Sequence, residues 1–133
     1  MAFHLRQKIL FRHCDPAGIV FYPRYFEMLN DCVEAFFAEA LGHPFETLHS
    51  AGAVPTAQIS ARFTAPSRHG DVLDFTLRCA PPGRSSLALD YHATCGDDPR
   101  LAAQSTLVFV DGKGRPHGWP DDLRAALNAQ AER

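Results

Sequence analysis

The sequence predicts an α+β domain in which a curved five-stranded antiparallel sheet wraps one long helix and a short helix ends the chain. Three observations carry this. The elements run in the order strand, long helix, four strands, helix. The helix has a broad apolar stripe that only a sheet-sized surface covers. The connections between the later strands are too short for parallel crossovers. At 133 residues the chain reads as a single domain spanning 1–133.

From Phe3 to Phe11, apolar residues fall mainly on odd positions (Phe3, Leu5, Ile9, Phe11), with His4, Arg6 and Lys8 between them. That period of two predicts the first strand. His13-Cys14-Asp15-Pro16-Ala17-Gly18 then interrupts any regular element and predicts a loop. Between Pro23 and Leu41, the residues Phe26, Leu29, Val33, Phe36, Phe37 and Ala40 recur at three- and four-residue steps. Arg24, Glu27, Asp31, Glu34 and Glu39 take the opposite side, and Gly42 ends the helix.

Alternation then returns in Ile59-Ala61-Phe63, in Leu73-Phe75-Leu77-Cys79 and in Leu87-Leu89-Tyr91-Ala93-Cys95. These read as three strands at hairpin spacing, followed by a fourth at about Leu101 to Val110. Their connections are Pro66 to Gly70, Pro81-Pro82-Gly83 and Gly96 to Pro99. Pro120-Asp121-Asp122-Leu123 opens a last helix, with acidic residues in its first turn.

Composition narrows the function. A net charge of −2 gives no general attraction to nucleic acid or to anionic membrane. No run approaches the ~20 apolar residues of a membrane span, and the N-terminal residues lack a signal-peptide core, so a cytoplasmic protein is expected. Cys14, Cys32, Cys79 and Cys95 form no C-x-x-C pair and read as buried, reduced thiols. The seven histidines show no ligand spacing, and no metal is expected. Nucleophile-elbow, Walker, dinucleotide and zincin motifs are absent.

The chemistry-bearing segment is therefore the loop from His13 to Tyr22 with the helix behind it. Pro23 suits the first helical position, which puts Tyr22 at or near the N-cap. No Ser, Thr, Asp or Asn at Phe21, Tyr22 or Pro23 occupies the free N–H groups there. Such a helix start can polarise a carbonyl. Asp15, seven residues earlier, is a candidate nucleophile or general base, and together the two suit acyl transfer. Aspartate before proline is also an ordinary turn residue, and both readings stand on residue type alone.

The stretch Asp15-Pro16-Ala17-Gly18-Ile19-Val20-Phe21-Tyr22-Pro23-Arg24-Tyr25 resembles the signature of the 4-hydroxybenzoyl-coenzyme A thioesterase family. Looser similarity runs through Gly83-Arg84-Ser85-Ser86-Leu87 to Gly114-Arg115-Pro116. The resemblance implies a hotdog fold and hydrolysis of an acyl-CoA thioester. It implies Asp15 as the catalytic carboxylate and the Tyr22 backbone amide as the group that polarises the carbonyl. It further implies no metal and no bound cofactor, coenzyme A being part of the substrate, and a homodimer or tetramer with sites between subunits. Asn30 stands where aromatic-specific members carry a further acid, and it either lines the acyl pocket or belongs to the polar face of the helix. Arg84, with Ser85 and Ser86, is all that remains of a basic run toward the nucleotide and is a candidate phosphate contact. An aromatic acyl-CoA such as hydroxybenzoyl-CoA is the expected substrate. The alternatives are a short- or medium-chain aliphatic acyl-CoA and, in a different class, a non-catalytic acyl-CoA binding subunit.

Overall fold

A computed structural model describes residues 1–132. The strands are β1 (Phe3–Lys8), β2 (Thr56–Phe63), β3 (Val72–Cys79), β4 (Ser86–Cys95) and β5 (Asp98–Val108). The helices are α1 (Pro23–Ala35), α2 (Phe45–Leu48) and α3 (Asp121–Gln130). The strands form one sheet in the order β1-β3-β4-β5-β2, and every neighbouring pair is antiparallel. The expected architecture of a five-stranded antiparallel sheet, a long helix and a short C-terminal helix is the one observed.

The alternation read from the sequence sorts the sheet into two faces. Leu73, Phe75, Leu77, Leu87, Leu89, Tyr91, Ala93, Leu101, Ala103 and Leu107 are buried under the helix, while Arg78, Ala88, His92 and Gln104 on the other face are exposed. Helix α1 answers with Tyr25, Met28, Leu29, Cys32 and Val33. Fully burying side chains of this size is worth roughly 1.5–3 kcal/mol each, so this single interface dominates the stability of the domain. Beneath the helix, the hydroxyls of Tyr91 and Ser105 satisfy each other at 2.7 Å.

Four expectations are corrected. The first strand stops at Lys8, because Phe11–His13 closes a 3-10 turn and leaves Phe11 80% exposed. The long helix continues past Ala35 as a wide turn, Phe36–Ala40, in which the Leu41 N–H reaches back five residues to the Phe36 carbonyl at 3.1 Å. Both Phe36 and Phe37 are buried there, which a regular α-helical face does not readily allow for adjacent residues. The thiols are not uniformly buried, since Cys32 and Cys79 are buried and Cys14 and Cys95 only half so.

The last correction concerns topology. β2 and β3 form no hairpin: β2 pairs with β5 at the sheet edge opposite β1, and residues 64–71 carry the chain across to β3. Spacing between strands reports connection length but not pairing partner. The linker thereby runs at the end of the sheet where the loop from His13 to Tyr22 lies. α3 seals the other end, with Leu123 and Leu127 buried and the Trp119 N–H donating to the Arg84 carbonyl at 3.1 Å. Among the described residues, no helix is long and apolar enough to cross a membrane.

Candidate active site

The segment between β1 and α1 folds back on itself. His13 is buried, and its Nδ1 accepts from the Leu10 N–H at 2.8 Å, which leaves any proton of the neutral ring on Nε2. Burial first, and the nearby Arg12 charge second, push this histidine's pKa below its ordinary value. Beyond it, Cys14 and Val20 form an antiparallel bridge, the Asp15 N–H donates to the Ile19 carbonyl at 3.0 Å, and the Gly18 N–H donates to the Asp15 carbonyl at 2.9 Å. Gly18 closes the turn at φ +82°, a left-handed conformation that glycine adopts without penalty.

Asp15 is half-buried at the base of this hairpin. Its Oδ1 accepts from the Ala17 N–H at 2.9 Å, so the turn role expected of an aspartate before proline is present. Among the described residues no donor engages its Oδ2. One carboxylate oxygen is thus held by the turn and the other accepts no hydrogen bond from the described residues.

The returning strand delivers the chain to the helix. The Phe21 N–H pairs with the His13 carbonyl at 2.9 Å, and Tyr22 already has helical dihedrals, φ −52° and ψ −34°, with Pro23 behind it. A helical residue at this point aims its N–H out of the helix start, where no preceding turn supplies an acceptor. No side chain caps the helix, and among the described residues nothing accepts from the Tyr22 N–H. Asp15 flanks the Cys14–Val20 bridge on one side and Tyr22 lies two residues past it on the other. The carboxylate and the free amide therefore share one small hairpin.

An aromatic wall that sequence reading missed stands beside them. Phe63, at the end of β2, stacks on Tyr25 with ring centroids 5.2 Å apart and meets Tyr22 at 6.2 Å and Phe26 at 6.4 Å. Helical spacing brings Tyr22, Tyr25 and Phe26 to one side of α1. The arrival of Phe63 depends on β2 taking the edge position, which no local pattern announces.

One turn further along α1, an apolar cleft of about 310 Å³ opens between the helix, α2 and β2. Phe26, Val33, Phe45 and Ile59 line it, with Asn30 and His49 as polar members. Asn30 is exposed, so it belongs both to the polar face and to the rim of the cleft.

Arg84, Ser85 and Ser86 lie elsewhere. They form the β3–β4 hairpin, at the far end of β3 from the Asp15 loop. Eight strand residues at ~3.3 Å each put roughly 26 Å between the two ends. The carbonyls of all three are used structurally: Arg84 accepts from Trp119 and Arg124, Ser85 from Phe109, and Ser86 from Gly83 and the Trp119 indole. The Arg84 guanidinium is exposed and forms no ion pair among the described residues. Among those residues, no three His, Cys, Asp or Glu side chains converge as metal ligands.

A family model described as the thioesterase-like superfamily matches residues 9–127. The 4-hydroxybenzoyl-CoA thioesterase of Pseudomonas sp. strain CBS-3 is 35% identical over 113 residues, 80% of this chain and 79% of that one. The chain belongs to the thioesterase-like superfamily. It is an acyl-CoA thioesterase of the 4-hydroxybenzoyl-CoA thioesterase family, as the segment Asp15 to Tyr25 led us to expect.

The 1,4-dihydroxy-2-naphthoyl-CoA hydrolase of Synechococcus elongatus is 25% identical over 134 residues, 98% of each chain. The crystal structure of the Pseudomonas thioesterase superposes with a TM-score of 0.84 at 26% identity, covering 94% of this chain and 98% of that one. A 1,4-dihydroxy-2-naphthoyl-CoA thioesterase from Synechocystis superposes at 0.87 with 19% identity, covering 96% of each, which speaks to the shared hotdog fold alone.

Proposed function

We propose that this thioesterase hydrolyses an aromatic acyl-CoA, with Asp15 as nucleophile or general base and the Tyr22 amide as the donor to the thioester carbonyl. The observation that carries the proposal is the free Tyr22 N–H at the start of α1, on the same hairpin as a carboxylate whose second oxygen is free. Negative charge grows on the carbonyl oxygen as the thioester carbon is attacked, and returns to reform the carbonyl as the C–S bond breaks. A donor fixed in place before the reaction stabilises that charge without reorganising. Direct attack by Asp15 forms a mixed anhydride, expels the CoA thiolate and leaves the anhydride to water. Attack through water leaves Asp15 to take the proton. Either route yields one free acid and one CoA thiol, and neither calls on a metal or a bound cofactor.

The acyl group is assigned to the cleft along α1. Its walls are apolar and include two phenylalanines, while Asn30 and His49 offer hydrogen-bonding groups to a ring hydroxyl. The names of the relatives, hydroxybenzoyl and dihydroxynaphthoyl thioesters among them, favour a hydroxylated ring. An alkyl chain fits the same walls but makes no use of either polar side chain. A panel of aromatic and aliphatic acyl-CoA esters therefore separates these substrates, and absence of turnover on all of them identifies a binding subunit.

We further propose a homodimer, or a tetramer built from it, acting in the cytoplasm. β2 pairs on one side only, seven of its eight residues are exposed, and Ile59 and Phe63 lie open on it. A free edge of this length invites pairing. Two-fold pairing of two such edges runs the strands antiparallel, so the Asp15 end of one sheet falls beside the Arg84 end of the other. Arg84 of the partner subunit, rather than the Arg84 roughly 26 Å away in the same chain, is then the phosphate contact.

The deciding experiment is Asp15→Asn. Asparagine keeps an oxygen for the Ala17 N–H, so the turn persists, but an amide is neither a nucleophile nor a base. On 4-hydroxybenzoyl-CoA, kcat falls by at least ~10³, on the order of 4 kcal/mol. A folded variant within ~10-fold of wild type removes Asp15 from the mechanism.

A further inference from the structure

The Asp15 hairpin is held to the sheet through an intermediary. Its backbone bonds to the rest of the domain go to the 64–71 linker: the Val20 N–H donates to the Ser67 carbonyl at 2.9 Å, and Ile19 bridges Arg68. The strand leading into the hairpin rests on the same linker, since the Ile9 N–H donates to the Asp71 carbonyl at 2.7 Å and the Gly70 N–H to the Ile9 carbonyl at 2.8 Å. Whatever fixes the linker therefore fixes Asp15.

One side chain does so. Arg100, near the start of β5, is only 12% exposed at its side chain. Its Nη1 donates to the Ser67 hydroxyl at 3.0 Å and to Asp71 Oδ2 at 2.8 Å, and its Nε donates to Asp98 Oδ2 at 2.7 Å. Asp71 Oδ2 also accepts from the Arg68 N–H at 2.9 Å. Backbone bonds finish the attachment at the other end of the linker, where the Thr64 N–H donates to the Arg100 carbonyl at 3.0 Å and the Thr64 hydroxyl to the Pro99 carbonyl at 2.9 Å. Ser67 is fully buried, so its hydroxyl has no water to fall back on. The Asp71 carboxyl is held below its usual range, first by the Arg100 hydrogen bond.

We propose that Arg100 is a positioning residue for the Asp15 carboxylate, acting through Ser67 and the linker. This rests on Asp15 being the reacting group. The guanidinium is a rigid planar fork, and here it spans acceptors on both β5 and the linker at once. A neutral or point-charge replacement cannot span them. Losing the fork frees the Ser67–Asp71 half of the linker from β5, although Thr64 stays attached, and the hairpin moves with that half. Misplacing a reacting group by about 1 Å lowers the rate by about 10²-fold.

The test is a cycle on 4-hydroxybenzoyl-CoA with Arg100→Gln, Asp15→Asn and the double variant, each normalised to folded protein by circular dichroism. Arg100→Gln is expected to lower kcat by ~10- to ~100-fold with KM changed less than ~3-fold. In the Asp15→Asn background, assayed with enzyme in excess, the same change has a much smaller effect, because no carboxylate is left to misplace and only the Tyr22 donor still moves with the hairpin. Ser67→Ala removes one arm of the relay without a charge change and shows the same pattern at smaller size. It carries the test if Arg100→Gln does not fold. A purely structural role gives lower thermal stability with kcat per folded enzyme within ~3-fold of wild type, and that result overturns the proposal. Equal losses in both backgrounds also overturn it. If Asp15→Asn alone stays active, the assignment of Asp15 has failed instead, so the two failures are told apart.

Discussion

Replacing Tyr22 by proline deletes the backbone N–H from the candidate site, along with the tyrosine ring, and leaves the path of the helix start in place. The Tyr22 φ of −52° lies inside the range of about −65 ± 15° that the proline ring imposes, so the helix start keeps its path. The residue before it, Phe21, keeps its N–H bond to the His13 carbonyl, which the substitution does not touch. The Tyr22 carbonyl, which accepts from the Tyr25 N–H at 3.0 Å, is untouched. What disappears is the N–H, and with it a donor to the developing oxyanion worth ~2.7–4 kcal/mol, or ~10²–10³ in kcat. The tyrosine ring is lost as well, including its 6.2 Å contact with Phe63, so Tyr22→Ala is the matched control. Steady-state kinetics on 4-hydroxybenzoyl-CoA should place Tyr22→Ala within ~10-fold of wild type and Tyr22→Pro ~10²–10³ below Tyr22→Ala. KM should differ little between them, because the donor strengthens as charge develops. Two folded variants within ~3-fold of each other refute the reasoning and move the polarising group elsewhere.

Other consequences are as direct. Arg84→Ala should raise KM several-fold with kcat nearly unchanged, and the effect should shrink in high salt, because the exposed guanidinium is truncated while the carbonyl that holds Trp119 and Arg124 remains. An equal response from a substrate cut back to its pantetheine arm rules out the phosphate contact. Sedimentation of an active preparation at micromolar concentration should show at least a dimer, and an active 14.7 kDa species contradicts the two-subunit site. The two internal histidine contacts should have opposite pH signatures. His13, with its pKa lowered by burial, contributes stability present above the unfolded value of ~6.5 and lost as pH falls through its folded value. His43, raised by its bond to the Leu41 carbonyl and then by Asp122, contributes stability present below ~6.5 and lost as pH rises through its folded value. Urea midpoints for His13→Asn and His43→Asn across pH 5 to 8 check both signs, and a parallel response from the two variants contradicts them.

The architecture was legible because burial and periodicity coincide here. Each strand of the sheet interior alternates, and α1 repeats at helical spacing because its apolar face rests on that sheet. The Asp15 loop was legible for a different reason: a helix start without a capping side chain, preceded by Asp-Pro-Ala-Gly, breaks the local rules that would otherwise make it inert. What stayed hidden was set by pairings between distant segments. β2 carries the weakest alternation of the sheet and is exposed along most of its length, so nothing local marks it as the partner of β5 rather than of β3. From that one pairing follow the crossover linker, the arrival of Phe63 against Tyr25, and the burial of Ser67 beneath the hairpin. α2 was missed because a four-residue helix has too few turns for a periodic signal.

Arg100 shows how far such a hidden pairing reaches. In sequence it is one charge in Asp97-Asp98-Pro99-Arg100, where any reader would leave it in solvent at the tip of a hairpin. Its low exposure and its acceptors on Ser67 and Asp71 arise only because the 64–71 linker crosses at this end of the sheet, and the linker crosses there only because β2 occupies the far edge. The carboxylate that the sequence singles out is therefore tied, through the linker, to a residue 85 positions later in the chain. Local chemistry marks the candidate carboxylate, while the topology decides what holds it still.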